Sequence, residues 1–453
     1  MNVSRALRLS LLLILFFQAG TRLVVSGQQT APEILTLDQA IDLTLRDNRM
    51  VKNSQLAIAK VDDQLAATRT LRFPSFNLYA LGSQQLAELS FEYERGAFGT
   101  YPGIGPIPNQ KTLLTTPRRP TLFFLGTVTQ PLSQQYRIRL SLDLLKVNRE
   151  VAGEELRKQQ QAVVDEVKHL YYGILQSQSA LKSLEQSIRL FRELDRVTSQ
   201  YVDQQVALKS QSLEVKTRLA KSEYDMLSVS SQLASQKEQL NNLLGRDIRT
   251  AFEVNAVVEP NIVETNLPAA QNRALEQRPE IKLARLKVRQ ADLDRRIKKS
   301  ELIPDVSIGL NYLSPRNFNS FIPKNLLNVG LVFSWDVFDW GKRNREVAEK
   351  SKTSEQAQNA LLETENKILI EVNSKFRNLQ QAHQLLVVAR LGQETAREKL
   401  RVAQNKYQVE AVLLSDVLQT QTSVAEADHQ YQQSLLAFWA AKAEFEKALG
   451  ESK

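Results

Sequence analysis

The sequence predicts a chain of mixed class, in which long coiled-coil helices carry a small set of transmembrane β-strands. Three observations predict it. Apolar residues recur every seven positions over stretches far longer than an ordinary helix. Short segments alternate apolar and polar residues at the length a tilted strand needs to cross a bilayer. Both patterns occur twice, in the same order, so the chain reads as an internal duplication. Composition agrees: 24% of residues are charged and mean hydropathy is -0.32, which excludes a polytopic helical membrane protein. Only 16 Gly and 14 Pro punctuate 453 residues, and long stretches lack proline, as long helices require.

Residues 1–27 come first and read as a signal peptide. Arg5 and Arg8 precede an apolar run from Leu9 to Phe17, interrupted only by Ser10, and Val25-Ser26-Gly27 offers a cleavage site before Gln28. The apolar core spans roughly 9 residues where a membrane helix needs about 20. The chain is therefore expected to be exported, and to cross a membrane, if at all, with strands.

The duplication sets the remaining boundaries. Leu37, Ala40, Leu45, Val51, Leu56, Asp62 and Pro74 match Leu267, Ala270, Leu275, Ile281, Leu286, Asp292 and Pro304 without a gap, at an offset of 230. Glu166-Val167, Leu213 and Gly245 match Glu371-Val372, Leu418 and Gly450 at an offset of 205. A first repeat over 28–245 and a second over 266–450 follow, joined by a linker at 246–265. Each begins with an amphipathic helix. The first repeat then holds strands at 73–82 and 121–130, a long helix over about 135–203 and a returning helix over about 210–244. The second holds strands at 304–313 and 327–336, a long helix over about 343–409 and a returning helix over about 415–449.

Each element has its own pattern. Val306, Ile308, Leu310 and Tyr312 alternate with Asp305, Ser307, Gly309 and Asn311, and Leu331 and Phe333 continue the theme on the next strand. Val306, Ile308, Leu310, Leu331 and Phe333 are thus the expected lipid-facing residues. Along the first long helix, Val167, Ile174, Leu181 and Ile188 repeat at seven, with Leu170, Ser177, Leu184 and Phe191 three residues on. In the second, Val372, Leu379, Leu386 and Leu400 form one seam, while Ala382, Ala389, Ala396 and Ala403 form another that admits close backbone approach. A helix over 135–203 would run roughly 100 Å, too long for a compact globule, so a bundle or tube is expected.

Other chemistries find little support. The chain has no cysteine, and His169, His383 and His429 stand far apart, so no metal cluster, cofactor site or catalytic constellation is expected and the protein reads as a non-enzyme. Gly96, Gly99, Gly103 and Gly105 lie in a stretch over about 83–120 between two strands, which suits a loop at a barrel mouth better than a phosphate cradle. The formal charge of +9 is spread through helices among nearly as many acids, so nucleic acid is not an expected partner.

Four motifs carry a family resemblance. Phe338-Asp339-Trp340-Gly341-Lys342-Arg343 resembles the strand-to-helix junction of TolC-like outer-membrane efflux proteins, and Gln130-Pro131-Leu132 its first-half counterpart. Arg278-Pro279-Glu280-Ile281 and Leu243-Leu244-Gly245 are similar to a helix start and a half-end of the same family. The resemblance implies a homotrimer, with a trimeric α-helical barrel in the periplasm and four strands per chain in a shared 12-stranded β-barrel in the outer membrane. It also implies passive export of small molecules or proteins, in a tripartite efflux or type I secretion system with a periplasmic adaptor protein and an inner-membrane transporter. Family members often carry Tyr-x-x-Gly at each helical tip; here Gln204 follows Tyr201 and Glu410 follows Tyr407. Gln204, Val206, Glu410 and Val412 are the implied adaptor-contact positions. Asp416-Val417-Leu418 resembles a motif whose acid lines the narrowest part of the tube, making Asp416 the candidate periplasmic gate. The same acid suits a helix N-terminus by charge–dipole attraction alone, and the sequence leaves both roles open. An exported coiled-coil structural or adhesive protein without a channel is the alternative.

Overall fold

The computed structural model describes residues 33–116, 118–205, 208–257, 266–317, 323–409, 411–412 and 414–451. The expected signal peptide therefore lies outside the described residues, as do Val206 and Glu410.

The chain opens with strand β1 (Glu33–Leu35) and helix α1 (Leu37–Asp47). Thr36 starts α1 with a reciprocal cap: Gln39 N donates to its hydroxyl at 3.3 Å, and Thr36 N donates to Gln39 Oε1 at 3.0 Å. Helix α2 (Arg49–Thr70) follows directly. The single amphipathic helix expected here is thus two. Asn48 makes the break, with ψ 131, and its Oδ1 accepts from Met50 N and Val51 N to cap α2.

Strand β2 (Ser75–Gln84) comes next, then β3 (Leu89–Tyr93), β4 (Thr100–Tyr101), β5 (Gly105–Pro106), β6 (Thr112–Thr116) and β7 (Pro120–Pro131). The stretch at 83–120 is therefore more than a loop, because β3 pairs with β6 and β4 with β5. Helix α3 (Gln134–Asp203), of 70 residues, and α4 (Lys209–Leu243) complete the half. The stretch at 246–265 also differs from a plain linker. It contains β8 (Phe252–Val254), which pairs in parallel with β1.

The second half runs α5 (Leu267–Gln277), α6 (Pro279–Ser300), β9 (Asp305–Arg316), β10 (Leu326–Ser334), α7 (Lys342–Gln408) and α8 (Leu414–Ala448). Helix α7 has 67 residues, and α8 has 35, as does α4. At 1.5 Å per residue α3 and α7 are each about 100 Å long.

Four strands form one antiparallel sheet in the order β10-β9-β7-β2. The core lies far from it, in the helices. Leu35, Ile41, Val167, Tyr171, Ile174, Leu240, Leu244 and Phe252 bury together where β1 and β8 cross the middle of α3. The Tyr171 hydroxyl sits 3.0 Å from Leu35 O and 2.9 Å from Asn255 O, and accepts from Asn255 N at 3.1 Å. A second cluster, with Ala274, Ile281, Val372, Phe445 and Ala448, closes the other half. The seam residues Val167, Ile174, Val372 and Leu386 are buried, as a seven-residue period requires.

Candidate channel wall and periplasmic entrance

The sheet has two chemically different faces, because residues directly opposite in an antiparallel ladder point the same way. Val306 pairs with Phe333, Ile308 with Leu331, and Leu310 with Val329, so the five expected lipid-facing residues share one face and Val329 joins them. Val128 lies opposite Leu310, and Phe76 opposite Val128, which carries that apolar row across all four strands. On the other face Asn77, Thr127, Asn311 and Asn328 form a polar row, with Asn311 Nδ2 donating to Asn328 Oδ1 at 3.2 Å. Along β9, Ser307 and Gly309 are buried while Ile308 and Leu310 are exposed. The outer edges of β2 and β10 have no strand partner among the described residues.

Below the sheet, polar side chains lock each strand to its helices. Asp339 opens α7: Gly341 N donates to its Oδ1 at 3.0 Å and Arg343 N to its Oδ2 at 3.2 Å. Arg343 pairs with Asp336 and Asp339 and donates to Glu301 O, just past the end of α6, at 3.0 Å. Trp340 takes φ 56 and Gly341 φ 79, so the junction turns through the left-handed region twice. In the first half amides replace the guanidinium. Gln130 and Gln135 both donate to Arg72 O, each at 3.0 Å, just past the end of α2. Lys298 bridges Glu301 at 2.8 Å and Glu346 at 2.9 Å. Those hydrogen bonds hold its ammonium above the usual lysine range and hold the Glu346 carboxyl below the usual carboxylate range.

At the far end of the helices stand the tip residues. Gln204 ends α3, its N–H donating to Gln200 O at 3.1 Å, and Gln205 takes φ 61. The left-handed turn thus falls one residue beyond Gln204. Val412 is half-buried between α7 and α8. Asp416 is exposed in the first turn of α8, and Thr420 Oγ1 lies 2.9 Å from its carbonyl oxygen. Gln204, Val412 and Asp416 lie at or next to the turns that end the two helical hairpins.

Sequence reading missed the residues that fix where each returning helix ends. Arg278 is 6% exposed; its guanidinium meets Glu371 Oε2 and Glu280 Oε2 at 2.8 and 2.9 Å and donates to Lys447 O at 3.1 Å. The equivalent Asn48 donates to Leu243 O at 2.9 Å. The signal was present in Arg278-Pro279-Glu280, read as a helix start without its partners. No group of acids and histidines suited to a metal ion occurs among the described residues.

Residues 270–451 match the model of the family described as outer membrane efflux protein. The match falls on the second repeat. No curated protein matches the sequence. The fold of almost the whole chain agrees with solved channels of the outer membrane. It is similar to CusC, at 16% identity and a TM-score of 0.73, over 94% of this chain and 95% of that one. It is also similar to the CmeC outer membrane channel of Campylobacter jejuni, at 14% identity and a TM-score of 0.73, over 91% of this chain and 85% of that one. The open-state MtrE outer membrane channel of Neisseria gonorrhoeae resembles it at 14% identity and a TM-score of 0.70, over 92% of this chain and 89% of that one. An outer membrane efflux protein sits in the outer membrane with its helical part in the periplasm. No described helix is long and apolar enough to cross a membrane.

Proposed function

We propose that three copies of this chain form the outer-membrane channel of a tripartite efflux or type I secretion system, passing small molecules or proteins through passively, without catalysis. The observation that carries this reading is the sheet: four antiparallel strands, one apolar face in register, one polar face, and two open edges. Open edges are not tolerated in hydrocarbon, and four strands cannot close around a bore. Joining β10 of one copy to β2 of the next pairs every edge, and three copies give 12 strands. The duplicated order of elements supports a tube of evenly repeated helical hairpins beneath that barrel. Val306, Ile308, Leu310, Leu331 and Phe333 then face lipid, and the row led by Asn311 faces water.

At the periplasmic end, Gln204, Val206, Glu410 and Val412 would meet an adaptor protein that links the channel to an inner-membrane transporter, and Asp416 would line the entrance. Purified full-length protein in planar bilayers tests the reading. Discrete single-channel conductance from a species of trimeric mass is the expected result. A monomer that leaves bilayers silent, or recovery in the soluble periplasmic fraction, would favour an exported structural protein instead.

A further inference from the structure

We propose that the foot of the sheet is a docking surface for anionic phospholipids of the periplasm-facing leaflet, recognised by Arg69, Arg72, Arg296 and Lys299; this rests on the outer-membrane channel reading above. Helices α2 and α6 lead into β2 and β9. Arg69 and Lys299 each stand six residues before the strand begins, at Ser75 and at Asp305, so a cation recurs at the matching position of the two helix-to-strand connections. All four side chains are exposed, and among the described residues none has an ion-pair partner. Their neighbours are paired: Arg295 with Asp292 at 2.7 Å, Lys298 with Glu301 and Glu346, and Arg343 with Asp336 and Asp339.

Their surroundings point to lipid. Between cation and strand each repeat exposes an apolar side chain, Phe73 at 68% and Ile303 at 44%. An apolar group at the acyl boundary with a cation one turn below it matches the layering of a phospholipid leaflet, tails above and phosphates beneath. The guanidinium fork suits phosphate oxygens in a bidentate fashion. Arg72 is held in place, because its carbonyl accepts from Gln130 and Gln135. Cations near a helix C-terminus also gain from the helix dipole, which would serve Arg69, Arg296 and Lys299 in any solvent. Arg72 lies beyond the end of α2, where that benefit fades.

Native mass spectrometry of the full-length trimer in detergent, with phosphatidylglycerol or phosphatidylcholine added, separates the two roles. The wild type should retain phosphatidylglycerol in preference, by about five-fold per engaged cation. The combined variant Arg69→Gln, Arg72→Gln, Arg296→Gln and Lys299→Gln should hold both lipids equally while keeping its trimeric mass. Equal retention by the wild type, or an undiminished preference in the variant, overturns the proposal. Should the variant not assemble, the wild type still decides. Its preference must fall as salt rises from about 0.05 to about 0.5 M, and a preference unchanged by salt overturns a charge-based site. A chain that is not in the outer membrane would betray itself separately, by leaving the membrane fraction of lysed cells.

Discussion

A Cβ on Gly450 would stand 2.9 Å from the carbonyl carbon of Gln277 and 3.0 Å from Arg278 N, and on Gly245 it would stand 2.5 Å from Asp47 O. Both glycines also take positive φ, +87 and +72. Two independent costs therefore fall on any side chain there: the left-handed conformation, about 1–2 kcal/mol, and a clash with backbone that cannot swing aside. Gly450→Ala should destabilise the protein by about 2–4 kcal/mol in denaturant unfolding of the detergent-solubilised form. Gly153, mid-helix in α3 with open space around it, is the control; Gly153→Ala should be neutral or stabilising by up to about 1 kcal/mol. The sequence already marked Gly245 and Gly450 as matched positions closing a helix. It could not reveal that each closes against the break between the two short helices, since that contact is to backbone. Gln205 and Trp340 were harder still, because neither residue type announces a positive φ.

Among the elements, the long helices and the four sheet strands were the most legible, since each repeats its pattern many times. Strands β1 and β8, three residues each, were invisible: a ladder that short has no period, and its order comes from burying Leu35 and Phe252 against Tyr171. The break at Asn48 escaped notice because the apolar spacing runs on through it. Its counterpart Arg278 joins four elements at once, capping the end of α5 and the start of α6 while gripping α7 through Glu371 and α8 through Lys447 O. Arg278→Ala would strip a partner from Glu371, which is partly exposed, and from the Lys447 carbonyl. A loss of about 1–3 kcal/mol is expected, less than for a pair wholly shut away from water. Hydrogen exchange should localise it, with protection falling at 274–282 and at 445–450 while the middle of α3 stays protected. Uniform loss along the chain would mean the residue supports the whole fold rather than this joint.

The whole molecule is where one chain says least, because in the proposed assembly the sheet's open edges meet other copies and the hairpin ends meet an adaptor. Sequence periodicity implied a tube and a membrane sheet; the number of chains came from resemblance to a family. Asp416 tests that assembly most directly. In one chain it is an exposed acid in the first turn of α8, where the helix dipole favours a negative charge. Around a three-fold axis the same residue would form a carboxylate ring, drawing cations into the entrance and repelling anions. The first half has no acid at the matching Gln211, so the ring would be a single layer of modest strength. Asp416→Asn keeps the shape and removes the charge. Reversal potentials in a salt gradient should show cation-over-anion selectivity falling by about two- to five-fold, equivalent to roughly 0.5–1 kcal/mol of attraction per ion. The dipole role predicts something different: a small loss of stability at the tip, with selectivity untouched. An Asp416→Asn trimer of full conductance and unaltered reversal potential would therefore leave Asp416 as a helix-start acid, and would move the entrance to another layer of the tube.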